Sequence, residues 1–335
     1  MTNCVYIFGN GFDIRMGMPT GYPDFLKYYR TSDTAEKVVS SKKEFLSKID
    51  ENIKEGKTEW KDLEFALGLF TKGCSDIELF KTLYRDLNHS LIEYLSHQSP
   101  LITDEDKTKF WNDLMYPENY LSSDHLKKSF WENSSRGETN ADIISFNYTK
   151  TIEFLLDDRW DKDLYYSEPS TADLYRVKSI NHIHGVLDDN GILFGVNDSD
   201  QIANEQFRKD ESLLDLIVKP KGNSELGTNI DQECLSLIQN AKVFYIYGTS
   251  LGPTDQYWWD CIGNRFRSTS DSVILYFSHT SQKLEPDRLP IEYISSEREI
   301  RKKIMSIMRI PGSEKDYRNR IYAACNTNVF PTHLE

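Results

Sequence analysis

The chain has 335 residues, and 40 Lys and Arg against 53 Asp and Glu give a formal net charge of −13. That charge repels phosphate backbones and excludes bulk nucleic-acid binding, while 17 Phe, 19 Tyr and 6 Trp exclude a disordered chain and allow a sizeable core. The five cysteines, Cys4, Cys74, Cys234, Cys261 and Cys325, are odd in number and contain no Cys-x-x-Cys, so neither a disulfide framework nor a cysteine-based zinc module is expected.

Residues 5–8 form a short apolar run with no basic leader, which reads as a buried strand and not as a secretory signal; no apolar stretch is long enough to span a bilayer. A cytoplasmic protein without a membrane partner is expected. The strand stops at Gly9-Asn10-Gly11-Phe12-Asp13, where two glycines permit a sharp turn and bring backbone N–H groups close to a phosphate. Ile14 stands where a Rossmann fingerprint has its third glycine, so the turn also reads as ordinary loop geometry. Asp13 suits a ribose hydroxyl or a helix cap better than a phosphate.

From 22 to 140 the pattern becomes helical, as in Phe45-Leu46-Ile49-Ile53 and Phe80-Leu83-Tyr84-Leu87-Leu91-Leu95. This reads as a mainly helical insertion between residues 1–21 and 141–335, the two parts of one nucleotide-binding domain. Within it Trp60 and Glu64 share a helix face at i, i+4, either reaching a crevice or belonging to an ordinary amphipathic helix. Strands follow at 143–146, 179–183, 192–194, 242–247 and 273–277, each short, β-branched or aromatic, and bounded by turn residues. The predicted class is α/β, an open parallel sheet whose strand ends share one ligand-binding edge. Ile300, Ile304, Ile307 and Met308, interleaved with Arg298, Arg301, Lys302, Lys303 and Arg309, read as a surface helix.

Three further strand ends carry chemistry. In Ser145-Phe146-Asn147-Tyr148-Thr149 the Asn147 amide offers donor and acceptor together, for a sugar hydroxyl, a water, or only its own turn. In Asn181-His182-Ile183-His184-Gly185 the two histidines fall on one strand face by period two, and a histidine there can act as general base; no Cys or carboxylate nearby completes a metal set. Tyr247-Gly248-Thr249-Ser250-Leu251-Gly252 admits a phosphate turn using Thr249 and Ser250. It also admits the nucleophile elbow of a serine hydrolase at Ser250, with Asp271 and His279 or His333 as nominees for the other roles.

Taken in order, Gly9-x-Gly11, Gly17-Met18-Pro19, Asn147, His184-Gly185 and Gly248-Thr-Ser-Leu251 resemble the sirtuin series Gly-Ala-Gly, Gly-Ile-Pro, Gln-Asn-x-Asp, His-Gly and Gly-Thr-Ser-Leu. More closely still, the Gly-Asn-Gly-Phe-Asp of residues 9–13, Pro19-Thr20-Gly21-Tyr22, the Phe-Asn-Tyr-Thr of 146–149 and the His-Ile-His-Gly of 182–185 resemble the AbiH family of bacteriophage abortive-infection proteins. The resemblance implies a Rossmann-like, SIR2-like sheet that binds NAD. It implies Asn147 and His184 as catalytic residues, with Gly9, Asn10, Gly11, Phe12, Asp13, Gly248, Thr249 and Ser250 around the cofactor. The implied activity is hydrolysis of NAD+ to nicotinamide and ADP-ribose, the alternative being a sensor that binds NAD or ADP-ribose without cleaving it. Asp13 replaces a sirtuin Ser, Thr149 replaces the Asp of Gln-Asn-x-Asp, and the zinc cysteines are missing, so zinc-dependent deacetylation and a bound metal are not expected. The implied partners are NAD or a related nucleotide, with a second copy of the chain or a phage-derived trigger as further candidates.

Overall fold

A computed structural model of the chain describes residues 2–134, 138–159, 164–165, 174–187, 191–279, 290–325 and 328–334. The main sheet contains β1 (Thr2–Phe8), β2 (Thr139–Ser145), β3 (Leu164–Tyr165), β4 (Leu174–His182), β7 (Val243–Tyr247), β8 (Val273–Ser278) and β9 (Ile321–Cys325), in the order β3-β4-β2-β1-β7-β8-β9. β3 runs antiparallel to β4, and every other pairing is parallel. The central strands are buried on both faces, which is why β1, β7 and β8 read as continuous apolar runs without alternation. The strand expected at 192–194 lies outside this sheet: β6 (Gly191–Ile192) pairs only with β5 (Gly185–Val186), in a separate antiparallel hairpin. An apolar triplet cannot say which partner it will find.

α1 (Gly11–Arg15) follows β1 directly. The helical stretch expected from 22 to 140 ends with the start of β2 at Thr139 and divides between two cores. α2 (Tyr22–Thr31), α3 (Val39–Lys54), α4 (Leu63–Phe70) and α5 (Ile77–Ser96) form a helical body whose apolar centre, including Phe25, Phe45 and Leu87, is completed by Phe194, Val196 and Ile217 from far along the chain. α6 (Asp104–Met115), α7 (Asp124–Ser134) and α8 (Thr151–Leu156) instead cover one face of the sheet, packing Phe110, Phe130 and Leu155 against Tyr6 and Tyr245. α9 (Glu211–Ile217) and α10 (Lys219–Leu226) lead to α11 (Ile230–Asn240), α12 (Gln256–Ser268) and α13 (Pro290–Ile307), which cover the opposite face through Ile238, Trp259 and Ile304. α13 is the expected helix, but Arg301 is not on a solvated face: it is buried, with Nε 3.2 Å from Oε2 of the equally buried Glu314. Among the described residues no helix is long and apolar enough to cross a membrane.

The register fixes where ligand chemistry can occur. Phe8 is opposite both Ser145 and Tyr247, Ser145 is opposite His182, and Tyr247 is opposite Phe277. Five parallel strands therefore end level with one another. The connection from β1 leads to β2 on one side, whereas β7 lies on the other, so the chain changes direction across β1. In open α/β sheets a crevice forms at that switch point, outside the carboxyl ends of the strands.

Candidate functional site

A cavity of about 1190 Å³ occupies this edge, lined by the Gly9–Gly11 turn, Asn147, His184 and the Gly248–Ser250 turn together with α4 and the segment entering α2. The four strand-end motifs thus meet in one place, although each plays a different part.

The glycines bring loops together. Gly11 N–H donates to Gly248 O at 2.8 Å, Gly9 N–H to Tyr247 O at 2.9 Å and Phe12 N–H back to Gly9 O at 2.9 Å. These N–H groups are satisfied within the protein, not pointed at a ligand. A Cβ on Gly9 or on Gly11 would come within 2.8 Å of Gly248 O, so the absence of side chains lets the β1 and β7 turns touch. Asn10 ties the turn to the next loop, its Nδ2 donating to Thr20 O at 2.9 Å and its Oδ1 accepting from Thr20 Oγ1 at 2.6 Å. Phe12 does not face the cavity; it is fully buried among Phe8, Phe110, Tyr247 and Phe330.

Asp13 is buried, accepting from Thr149 Oγ1 at 2.6 Å while its other oxygen has no hydrogen bond. Burial raises its pKa from 3.8 to about 6, against the hydrogen bond from Thr149. A carboxyl raised on folding binds its proton more tightly in the folded state, so this residue erodes stability as pH climbs from the unfolded value through 6. Asp13→Asn should therefore raise unfolding free energy at pH 7 by about 1–2 kcal/mol and flatten its pH dependence between 4 and 6. Urea titrations at those pH values check this; an unchanged slope would show that Asp13 titrates normally.

Asn147 lies just beyond the end of β2, only 3% exposed, with both side-chain polar atoms lacking a hydrogen bond. Its side chain lies near enough to Asp13 to help lower that carboxyl's pKa, and a buried amide on a cavity wall without a close hydrogen bond is placed to bond a ligand. The loop that carries it is held by His182, whose Nδ1 lies 2.9 Å from Asn147 O and whose Nε2 lies 2.7 Å from Glu153 Oε1. Burial, the largest single influence, would lower the His182 pKa, but the hydrogen bond and charge of Glu153, the Asn147 backbone and Asp13 together outweigh it and raise it. The expected sharing of one strand face by His182 and His184 does not occur. β4 ends at His182, the chain turns through Ile183, and His184 reaches a different set of groups.

His184 is 4% exposed, and its Nε2 is 3.1 Å from Asp255 Oδ1. The same carboxylate oxygen is 2.8 Å from Lys219 Nζ, which also reaches Glu64 Oε2 at 2.9 Å. Glu64 Oε1 accepts from Tyr148 Oη at 3.2 Å and from Gly195 N–H at 3.3 Å. Burial and the Lys219 charge lower the His184 pKa. Burial alone would raise Asp255, but Lys219 and His184 outweigh it and hold this carboxyl below the ordinary value; burial raises Glu64 to about 7 in spite of Lys219. Asp62 adds another carboxylate to the wall, capping α4 through Glu64 N–H and Phe65 N–H and accepting from Thr254 Oγ1 at 3.2 Å.

Of the charged groups around His184 only Glu64 had a sequence signal, and for another reason. Trp60 and Glu64 do not share a helix, because Asp62 caps a new one between them, yet Glu64 does reach the crevice. Lys219 and Asp255 carry no motif. Lys219 is placed by backbone contacts: Lys219 N–H donates to Val196 O at 3.0 Å, and Gly195 admits that approach because a Cβ there would collide with Ile217 O.

The serine-hydrolase arrangement is not assembled. Ser250 is exposed and its carbonyl accepts from Lys303 Nζ at 3.0 Å; Asp271 precedes β8, at the opposite edge of the sheet; His333 lies 3.2 Å from Asp106. His279 lines the cavity without an acid partner among the described residues. Nor do the described residues contain a cluster of three or more His, Cys, Asp or Glu able to hold a metal ion.

A level row of parallel strand ends, a switch point at β1 and a cavity with open polar groups define a Rossmann-like α/β protein with its candidate ligand site on the carboxyl edge. The chain belongs to the bacteriophage abortive infection AbiH family, whose model matches residues 5–277, from within β1 into β8. The family is one of phage abortive-infection defence, and the match takes in every group of the cavity cluster described above. No curated protein matches the chain.

Proposed function

We propose that the chain is a SIR2-like NAD+ glycohydrolase of phage defence, cleaving NAD+ to nicotinamide and ADP-ribose. The observation that carries this reading is the buried, unsatisfied Asn147 amide on the cavity wall that also bears His184. The sirtuin resemblance gives the same pair to the reacting ribose. In the reaction the bond between ribose C1′ and the pyridinium nitrogen breaks, nicotinamide leaves with the electron pair, and water oxygen bonds to C1′. Asn147 holds the ribose or the water, and His184 takes the proton that the water loses. A histidine whose pKa is lowered by burial and Lys219 is neutral at pH 7 and free to accept it. Asp255, kept ionised by Lys219, then faces the imidazolium that forms.

The test is nicotinamide release from NAD+ and NADP+ by the purified chain beside Asn147→Ala and His184→Ala. Release by wild type and a loss of at least about a hundredfold in each variant, with unchanged circular dichroism, is expected. Full turnover by either variant refutes that residue's role. A second reading, a sensor that binds without cleaving, is favoured by the Asp13–Thr149 hydrogen bond, which turns these two departures from the sirtuin pattern toward each other. Stabilisation by NAD+ in a preparation active in defence, with no nicotinamide formed, would establish it.

A further inference from the structure

A second set of open polar atoms lies where β7 and β8 reach the cavity. Arg15 Nε, Tyr247 Oη and His279 Nε2 are each buried without a hydrogen-bond partner. Arg15 and His279 line the cavity, whereas Tyr247 lies behind them in the aromatic core, its ring edge-on to His279 with centroids 5.4 Å apart. The Tyr247 side chain is 1% exposed. Arg15 makes no ion pair with any described residue, which is unusual for a guanidinium in a chain of net charge −13. Burial raises the Tyr247 pKa against the charge and hydrogen bond of Arg15, and burial together with Arg15 lowers His279 to about 4, so at neutral pH both rings are uncharged and able to donate. A guanidinium without a carboxylate, set against a tyrosine hydroxyl and beside a neutral imidazole, calls for an anion with several oxygens. The glycine turn does not provide that grip, since the N–H groups of Gly9, Gly11 and Phe12 are already bonded within the protein.

We propose that Arg15, Tyr247 and His279 form a phosphate-binding subsite, in which side chains hold a phosphate of the bound nucleotide. This deepens the reading of the cavity as a nucleotide site but does not depend on glycosidic cleavage. Tyr247 Oη and Arg15 Nε–H supply hydrogen bonds of the charge-assisted kind, and the guanidinium supplies the counter-charge. Two phosphates could occupy it, the diphosphate bridge of an NAD-type dinucleotide or the phosphomonoester of NADP+.

The experiment is calorimetric titration of the full chain with ADP-ribose, NADP+, inorganic pyrophosphate and adenosine, for wild type, Arg15→Gln and Tyr247→Phe. Wild type is expected to bind ADP-ribose and pyrophosphate, Arg15→Gln to bind both at least about tenfold more weakly, and Tyr247→Phe to lose about three- to tenfold, while adenosine is unaffected. Tyr247→Phe removes a hydroxyl whose one neighbouring polar group is Arg15, so the melting temperature of the free chain should change little. Equal losses for ADP-ribose and NADP+ assign the diphosphate; a loss confined to NADP+ assigns the phosphomonoester. Wild-type affinity for every phosphate in both folded variants, or no phosphate binding by wild type, overturns the subsite. The two proposals fail separately. Nicotinamide release with an unchanged KM in Arg15→Gln refutes the subsite and leaves the glycohydrolase, whereas pyrophosphate binding that Arg15→Gln abolishes, in a chain that releases no nicotinamide, supports the subsite and refutes only cleavage.

Discussion

Lys219→Met should cost about 3–5 kcal/mol of stability at pH 8, because it leaves the buried carboxylate of Glu64 and the partly buried one of Asp255 without the ammonium that lies between them. The loss should depend on pH in a definite direction. In wild type, Asp255 is held below its ordinary pKa, so its contribution is present above the unfolded value and vanishes only in acid. Without Lys219 both carboxyls are raised on folding, the folded state binds more protons than the unfolded one, and the variant gains stability as pH falls. Glu64, already raised to about 7, should protonate first. Urea denaturation at pH 6 and pH 8 should show a gap between wild type and variant that is wider at pH 8, and Glu64→Gln added to Lys219→Met should restore part of it. A deficit below about 1 kcal/mol at both pH values would mean that the lysine is not compensating buried charge.

Gly248→Ala should be as severe, for a steric reason. Its φ of +71° costs an alanine about 1–2 kcal/mol by itself. The new Cβ would also stand 2.5 Å from Phe12 N and 2.8 Å from Gly9 O, backbone atoms that cannot move without separating β1 from β7. A total of about 4 kcal/mol or more is expected, enough to deny a chain of ordinary stability its folded state. Gly252→Ala is the control within the same motif. Its nearest neighbour is the Ser250 side chain at 3.2 Å, which can rotate away, and the cost should stay within about 1 kcal/mol. Thermal unfolding of the pair decides the matter; similar melting temperatures would show that the two turns can part.

The sheet was legible in the sequence wherever a strand is buried on both faces. Val5–Phe8, for example, lies in a strand whose side chains all meet protein, and such a strand leaves an uninterrupted apolar run. β9 leaves no such run, because three of the five residues of Ile321-Tyr-Ala-Ala-Cys325 are alanine or cysteine and its burial comes from α7 and α13 rather than from its own composition. The site was legible through backbone punctuation: glycine and asparagine at strand ends mark where loops begin, and a parallel sheet brings those loops together. Its buried charges were not. Lys219 and Asp255 look like surface residues in a chain rich in both signs, and only the tertiary contacts around Val196 and α12 reveal that they meet. His182 and His184 show the opposite failure, a period-two relation that the chain abandons one residue after the first histidine.

The helical body has a centre drawn from both 25–95 and 192–218. During synthesis α2 to α5 emerge from the ribosome with Phe25, Phe45 and Leu87 uncovered, and they wait for Phe194 and Ile217 through the translation of β2, β3 and β4. The same delay applies to the cavity, since Asn147 is made long before Lys219 and Asp255. The helical body and the cavity therefore both depend on contacts distant in sequence, and an interrupted nascent chain carries the early motifs without the groups that complete the site. In this abortive-infection family member the candidate site is thus completed only once Asp255 has been translated, and a product truncated before it lacks the contacts that Asp255 makes with Lys219 and His184.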